Sequence, residues 1–476
     1  MSRAREKLGA FWSGPGGGRD VLVVAYPLIL SQMSFTLQTF VDRLFLTWYS
    51  PEAVAGAVTG LFATWGLIGL FVGTGEYLTT FVAQYFGAKR HDRIGPAMWQ
   101  GIYFSLLAGL AIAALSPMAE RVFALADHAP LVRRYEVASA QIFMLGSFPI
   151  VLMATLSTFF AGRGQTGVVL LVNVASTLVN VVLDYLWIFG HAGFPRAGVA
   201  GAAWATVVAQ SCGALFYFAA LMRAEHRREY GTLSGWRFER ALFSRLLRFG
   251  LPTGLQYSLE IGAFAIFMMI VGRISTDALA ASSIAFNLNM LVFMPMWGLG
   301  VGVSALVGRY LGSNQPEFAE RSTWSAFRMS LVYMSVCGAL YLLAPRLLLA
   351  PYAAASARAS FESVASVAVV LLRFIAVYSI FDMMNLIFAA GLKGAGDTRY
   401  PLAITVVLSW VVMLGPAFWL CVGHGYGVTV AWATASAYVI CLGVLMIRRF
   451  RLGRWKTLRV IEPHAPGLDL AVEAAV

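Results

Sequence analysis

Apolar runs of about 20 residues or more recur along the whole of this 476-residue chain. A run of that length is what an α-helix needs to cross about 30 Å of hydrocarbon, and backbone groups in lipid must be hydrogen-bonded within their own segment. Only 12% of the residues are charged, whereas soluble proteins carry about 25%. The sequence therefore predicts an all-α integral membrane protein with about 12 transmembrane helices.

The basic residues are distributed unevenly between the loops. Most lie at the N-terminus, between residues 223 and 248, after residue 447, and in the loops that contain Lys89 and Lys393. Loops on the other side receive few, namely Arg121, Arg133, Arg134, Arg196, Arg273, Arg346 and Arg358. This asymmetry follows the positive-inside rule and predicts a multi-pass protein of the cell (inner) membrane with both termini in the cytoplasm. The net charge of +12 thus reflects the basic residues of the cytoplasmic loops and tails, and no nucleic-acid partner is predicted.

The chain contains two copies of one unit. A shift of 225 residues aligns Gly75 with Gly300 and the run from Tyr85 to Gly87 with that from Tyr310 to Gly312. Six spans in each half return the chain to the same side, so the halves are parallel repeats, an arrangement that places a transporter's substrate between them. The predicted segments are a cytoplasmic tail at 1–21, bundles at 22–222 and 247–447, a cytoplasmic linker at 223–246, and a cytoplasmic tail at 448–476.

Acidic and polar residues in the first half fall at one depth. Asp42, Asp184 and Thr206 lie at similar distances from the predicted outer ends of spans 1 (22–48), 5 (167–190) and 6 (198–222), and Asn180 is one turn from Asp184. A charge in mid-membrane costs at least about 2.5 kcal/mol, so each one needs a reason. The set predicts a site for a hard cation such as Na⁺, or a carboxylate pair that shares a proton. The structural alternative is that Asp184 caps a kink and Asp42 pairs with Arg43.

A second acidic set is predicted in the other half. Glu260 and Asp382 lie inside spans 7 and 10, and Tyr378 is one turn from Asp382. Ionised, the pair would attract an organic cation, whereas the alternative is a structural hydrogen-bonded pair. Glu76 is expected away from both sets, in a salt bridge or in transport.

Four further residues have open roles. Arg43 and Arg373 could partly neutralise adjacent acids, which leaves the ion stoichiometry open. Pro27 and Pro252, at the same repeat position, are expected to kink spans 1 and 7, either as a hinge or as a static bend.

The combined pattern resembles the multidrug and toxic compound extrusion (MATE) family, and most closely its NorM-like branch. The match covers about residues 22 to 450. The matching residues are Pro27, Val41 and Asp42, 81–88, 180–184, 198–203, 250–252, Glu260, 291–295, Asp382 and 394–398. Asp42, Asn180, Asp184 and Thr206 match the family's N-half ion site, where the resemblance also implies a backbone carbonyl from Ala202. It links Glu260 and Asp382 to coupling and to cationic substrates.

The resemblance implies two six-helix bundles around a V-shaped central cleft that alternates access. The expected function is multidrug efflux, by antiport of cationic, amphipathic small molecules against inward Na⁺ or H⁺. We expect no cofactor beyond the coupling ion and no catalytic residue. We also expect the protein to be a monomer in the lipid bilayer. The alternatives are a lipid-linked oligosaccharide flippase, an integral-membrane enzyme, and a structural or receptor protein. The scattered histidines argue against the enzyme. The coupling ion and the substrate range stay open.

Overall fold

The structure is a computed structural model that describes residues 11–125, 128–354 and 358–462. Within these ranges the regular structure is entirely helical. Parts of the two predicted tails, residues 1–10 and 463–476, lie outside the described residues. The first half contains α1 (Gly18–Tyr49), α2 (Pro51–Glu76), α3 (Leu78–Gly87), α4 (Ile94–Ala114), α5 (Met118–Ala124), α6 (Pro130–Leu145), α7 (Ser147–Gly162), α8 (Thr166–Phe189) and α9 (Val199–Leu221).

The second half repeats this order after a short connecting helix, α10 (Ala224–Tyr230). It contains α11 (Arg240–Ile274), α12 (Thr276–Gly312), α13 (Pro316–Leu343), α14 (Pro345–Ala354), α15 (Arg358–Ala395), α16 (Arg399–Gly423) and α17 (Val428–Arg451). Helix α16 contains two π-helical stretches, Ser409–Leu414 and Phe418–Gly423. Pro416 lies between them and lacks the backbone N–H that a regular helix would use there.

In the described residues, 11 helices are long and apolar enough to cross a membrane, and the bent pair of α6 and α7 makes up to 12. The predicted number of spans is therefore confirmed. Helices α6 and α7, which make up the bent pair, meet at an angle of 51° next to Gly146. Two boundaries differ, because α1 begins at Gly18 and α11 at Arg240, inside the predicted tail and linker. Both helices continue past the apolar run that defined the predicted span.

The two halves meet through contacts that obey the 225-residue repeat. A Cβ on Gly87 would lie 2.0 Å from the carbonyl oxygen of Arg309, and one on Gly312 would lie 2.2 Å from that of Gln84. Residues 84 and 309 are repeat equivalents, as are 87 and 312, so the two approaches are images of each other. Only glycine permits backbones this close, as in other packed membrane helices.

These contacts lie at the end of the molecule that carries Lys89, Arg90 and Arg309, here called the basic end. Toward the other end the halves separate, since neither Gly66 on α2 nor Gly262 on α11 has a neighbour within 4 Å of an added Cβ. The result is a V-shaped cleft that is closed at the basic end.

Candidate functional site

Four predicted residues of the first half form one cluster. Asp42 comes from α1, Asn180 and Asp184 from α8, and Thr206 from α9. In the amide orientation that satisfies its neighbours, Asn180 donates to Asp42 Oδ1 at 3.0 Å and to Asp184 Oδ2 at 3.2 Å. Its amide oxygen then faces the backbone N–H and hydroxyl of Thr206, both at 3.3 Å. The Thr206 hydroxyl is also 3.1 Å from the carbonyl oxygen of Ala202, so all five predicted residues are brought together.

The carboxyl groups of Asp42 and Asp184 lie close together, because the amide nitrogen of Asn180 reaches one oxygen of each. Asp184 is fully buried, and its Oδ1 has no hydrogen-bond partner among the described residues. Two ionised carboxylates so close together would repel each other, and a proton on one of them or a bound cation would relieve that repulsion. The set of two carboxyls, an amide and a hydroxyl also offers oxygen ligands of the kind that Na⁺ accepts.

Arg43 influences Asp42 through its charge but forms no ion pair with it in the described part of the chain. The Asp42–Arg43 pairing considered from sequence is therefore not formed. Asp42 instead borders a small cavity of about 50 Å³ that is lined by residues of α1, α2, α6, α7 and α9. Its walls include Phe35, Gln38, Thr64, Trp65, Ile150 and Gln210.

The second acidic set lies among α11, α15 and α16. Gln256 donates to Glu260 Oε1 at 2.8 Å and to the Thr405 hydroxyl at 3.2 Å. Glu260 and Asp382 are close enough to interact electrostatically, as the sequence predicted. Tyr378 is buried beside Asp382.

The position of Glu76 differs from the prediction. It was expected away from both acidic sets, but Lys393 and Tyr257 each interact with both Glu76 and Glu260. The reason is the packing of α2 on α11, where a Cβ on Gly73 would lie 3.0 Å from Gly254 Cα. Depth along one helix could not reveal a neighbour on the opposite half.

Lys393 and Tyr438 were missed by the sequence analysis. Lys393 lies in the last turn of α15 and was assigned to a loop as part of the positive-inside pattern. Tyr438 on α17 interacts with both Glu260 and Asp382. Its place within an apolar run gives no sign, from sequence, that it lies near these acids. In the described part of the chain, Glu76, Glu260 and Asp382 thus form an acidic group that interacts through charge with the ammonium of Lys393.

The remaining predicted residues are less engaged. Arg373 is exposed on α15 and forms no ion pair among the residues described. Pro27 and Pro252 lie inside helices that continue through them, α1 and α11. Their hinge role stays a prediction.

The chain matches a protein-family model and is similar to known multidrug resistance proteins. The family model MatE matches residues 27–186 and 252–419. The chain is 25% identical to the probable multidrug resistance protein NorM of Thermotoga maritima, over 93% of this chain and 94% of that one. It is 28% identical to the multidrug resistance protein PmpM of Pseudomonas aeruginosa, over 86% and 84%.

Solved structures share the fold. One is the outward-facing conformation of a multidrug resistance MATE family transporter of the MOP superfamily, with a TM-score of 0.83, 20% identity, and 92% and 96% of the two chains covered. Another is a MOP superfamily transporter from Pyrococcus furiosus, described as having a binding pocket of reverse polarity, with a TM-score of 0.82, 19% identity, and 93% and 97% covered. At such identities the likeness concerns the fold.

Proposed function

This chain belongs to the MatE family, and on that premise we propose that it is a multidrug efflux transporter that exchanges cationic, amphipathic drugs for inward protons. The basic end faces the cytoplasm in this proposal, in accord with the positive-inside rule. The V-shaped cleft, closed at the basic end, then corresponds to a state open to the outside. The family's relatives are named as drug-resistance proteins, which supports a transporter rather than an enzyme.

The choice of a proton rests on the closeness of the Asp42 and Asp184 carboxyl groups, which approach one Asn180 amide nitrogen, and on Asp184 Oδ1, which has no hydrogen-bond partner among the described residues. A proton shared by the buried Asp184 and the half-buried Asp42 would be lost or gained by the pair as a unit, which changes the charge of the first half by one. Exporting a monovalent cation from a negative interior costs about 2.3 kcal/mol per 100 mV, and an inward proton returns the same electrical work. The proton concentration gradient then supplies the net drive.

The cleft supports a cationic substrate. Among the described residues, Glu76, Glu260 and Asp382 place three carboxyl groups near the ammonium group of Lys393. An oligosaccharide flippase would need to attract a pyrophosphate, which arginine-rich sites do best. The acidic excess therefore favours drug export over the flippase alternative. A monomer remains the expectation.

Purified protein in proteoliposomes tests the proposal. A pH gradient and a Na⁺ gradient are imposed separately, and the movement of a fluorescent organic cation is followed for wild type, Asp42→Asn and the exposed control Glu317→Gln. We expect transport driven by the pH gradient in wild type and control, and its loss in Asp42→Asn. Transport driven only by Na⁺ would overturn proton coupling, and no transport under either gradient would overturn efflux itself.

A further inference from the structure

The segment after the last transmembrane helix crosses from one half of the molecule to the other. Helix α17 ends at Arg451, Gly453 turns the chain with a φ of 72°, and residues 454–462, here called the strap, follow. Trp455 is 1% exposed, lies in the apolar cluster of the second half, and stacks on Phe450 at 4.6 Å. The strap therefore starts firmly attached to its own half.

The other end of the strap is attached to the first half. Val460 is 1% exposed and belongs to the apolar cluster of that half. Its N–H donates to Gln84 Oε1 at 2.9 Å, and Gln84 Nε2 donates in turn to the Gly394 carbonyl at 3.1 Å. A buried amide thus joins α3, α15 and the strap at the closed end of the cleft.

Glu462 completes the crossing. Tyr85 donates to its carboxylate at 2.7 Å, Arg90 at 2.8 Å and Arg93 at 3.2 Å, and Arg245 at the start of α11 forms a further ion pair with it. Arg90 also donates to the Glu462 carbonyl at 3.0 Å. One carboxylate therefore holds the end of the strap to the loop after α3 and to the first turns of α11, which pack in the apolar cluster of the first half through Leu242 and Leu246.

We propose that the strap is a latch for the closed basic end, and that Glu462 must leave Tyr85, Arg90 and Arg93 before the cleft opens there. The latch rests on the proposed function to the extent that alternating access requires the basic end to open. Once Glu462 leaves, Arg90, Arg93 and Arg245 lose their common counter-ion, and only Glu239 stays paired with Arg93, at 2.7 Å. The strap, which remains attached to its own half through Trp455, then no longer joins the two halves at the basic end.

The latch is not itself a proton switch. Burial alone would raise the pKa of Glu462, but the hydrogen bonds from Tyr85 and the charges of Arg90 and Arg245 outweigh it and lower the pKa to about 2. Glu462 is therefore ionised at every physiological pH. Release of the strap must follow from movement of the halves, and the coupling ion acts elsewhere.

Hydrogen exchange on the full-length protein in nanodiscs tests the latch without any transport measurement. The Glu462→Gln variant keeps the shape of the side chain and removes its charge. We expect exchange to rise about tenfold in 78–87 and 304–312, because the closed end opens more often when charge-assisted bonds are lost. The matched control is Glu320→Gln, which breaks the ion pair with Lys456 that holds the strap to its own half. It should leave both segments unchanged.

Unchanged exchange in Glu462→Gln would overturn the latch. Faster exchange in α8 as well as at the basic end would also overturn it, since that pattern indicates a general loss of structure. Faster exchange at the basic end alone supports the latch even if wild type moves no drug, in which case only the proposed function fails.

Discussion

Tyr85 and Tyr310 occupy the same position in the two repeats, and each donates its phenolic hydrogen to a carboxylate from the other half. Tyr85 donates to Glu462 at 2.7 Å, and Tyr310 donates to Asp20 at the start of α1. Asp20 also accepts from the Gly16 N–H at 2.9 Å. The basic end is thus tied twice, once through each terminal segment, by a pair of side chains that the repeat makes equivalent.

Tyr85→Phe and Tyr310→Phe should each loosen this end by about 1 kcal/mol, because each removes one hydrogen bond to a carboxylate. The double variant should lose about the sum, since the two sites share no partner. Hydrogen exchange in 78–87 and 304–312 measures the effect. The control is Tyr426→Phe, an exposed tyrosine between α16 and α17. A double variant no looser than either single one would contradict two independent ties.

Asp42→Asn and Asp184→Asn should each abolish proton-driven drug transport, and the double variant should be no worse than either. Groups that act as a unit are strongly non-additive, and a shared proton needs both carboxyls. Initial rates of proton-driven transport in proteoliposomes provide the measurement. Residual coupled transport in either single variant, lost only in the double one, would mean that each carboxyl works alone.

Lys393→Met should tighten the binding of a lipophilic cation by about tenfold, because the substrate no longer competes with an ammonium group for Glu76 and Glu260. Equilibrium binding of a fluorescent cation to the purified protein measures the change. Adding Glu76→Gln to Lys393→Met should return the affinity toward the wild-type value. Weaker binding in Lys393→Met would indicate that Lys393 holds the acidic side chains in place rather than competing with the substrate.

The sequence could predict those features that depend on distance along one helix. Span length identified the transmembrane helices, and depth matched Asp42, Asn180, Asp184 and Thr206, which the structure brings into one cluster. The positive-inside pattern concealed Lys393, because a lysine in the last turn of a span looks like any other boundary charge. The 225-residue shift identified Gly87 and Gly312 as equivalents but could not show that each packs on the other half.

Contacts between distant segments were beyond prediction for a physical reason. Glu76 lies near Lys393, which also interacts with Glu260, because α2 packs on α11. Glu462 accepts a hydrogen bond from Tyr85 because the strap turns at Gly453. Neither contact has a periodicity or a local motif. Both depend on where two halves of similar sequence come to rest against each other.

Gly87→Ala and Gly312→Ala should each destabilise the closed basic end by about 1–3 kcal/mol, since the added methyl would meet a carbonyl oxygen at 2.0 or 2.2 Å. Thermal unfolding and exchange in 78–87 measure the loss. Gly66→Ala is the control, because it lies on α2 with open space around an added Cβ. Equal stability in all three variants would mean that the backbones are not held at the distances described.

The closed basic end should not respond to pH between 8 and 5.5 once the proton site is removed. The pKa of Glu462 is lowered from 4.5 to about 2, so its stabilising contribution is complete above about 4.5 and is lost only as pH falls through about 2. The test uses Asp42→Asn with Asp184→Asn, a cysteine-free background, and spin labels at positions 89 and 315. Their distance distribution should be the same at both pH values, and longer at both when Glu462→Gln is added. A distance that lengthens on acidification in the background with Glu462 intact would contradict this prediction.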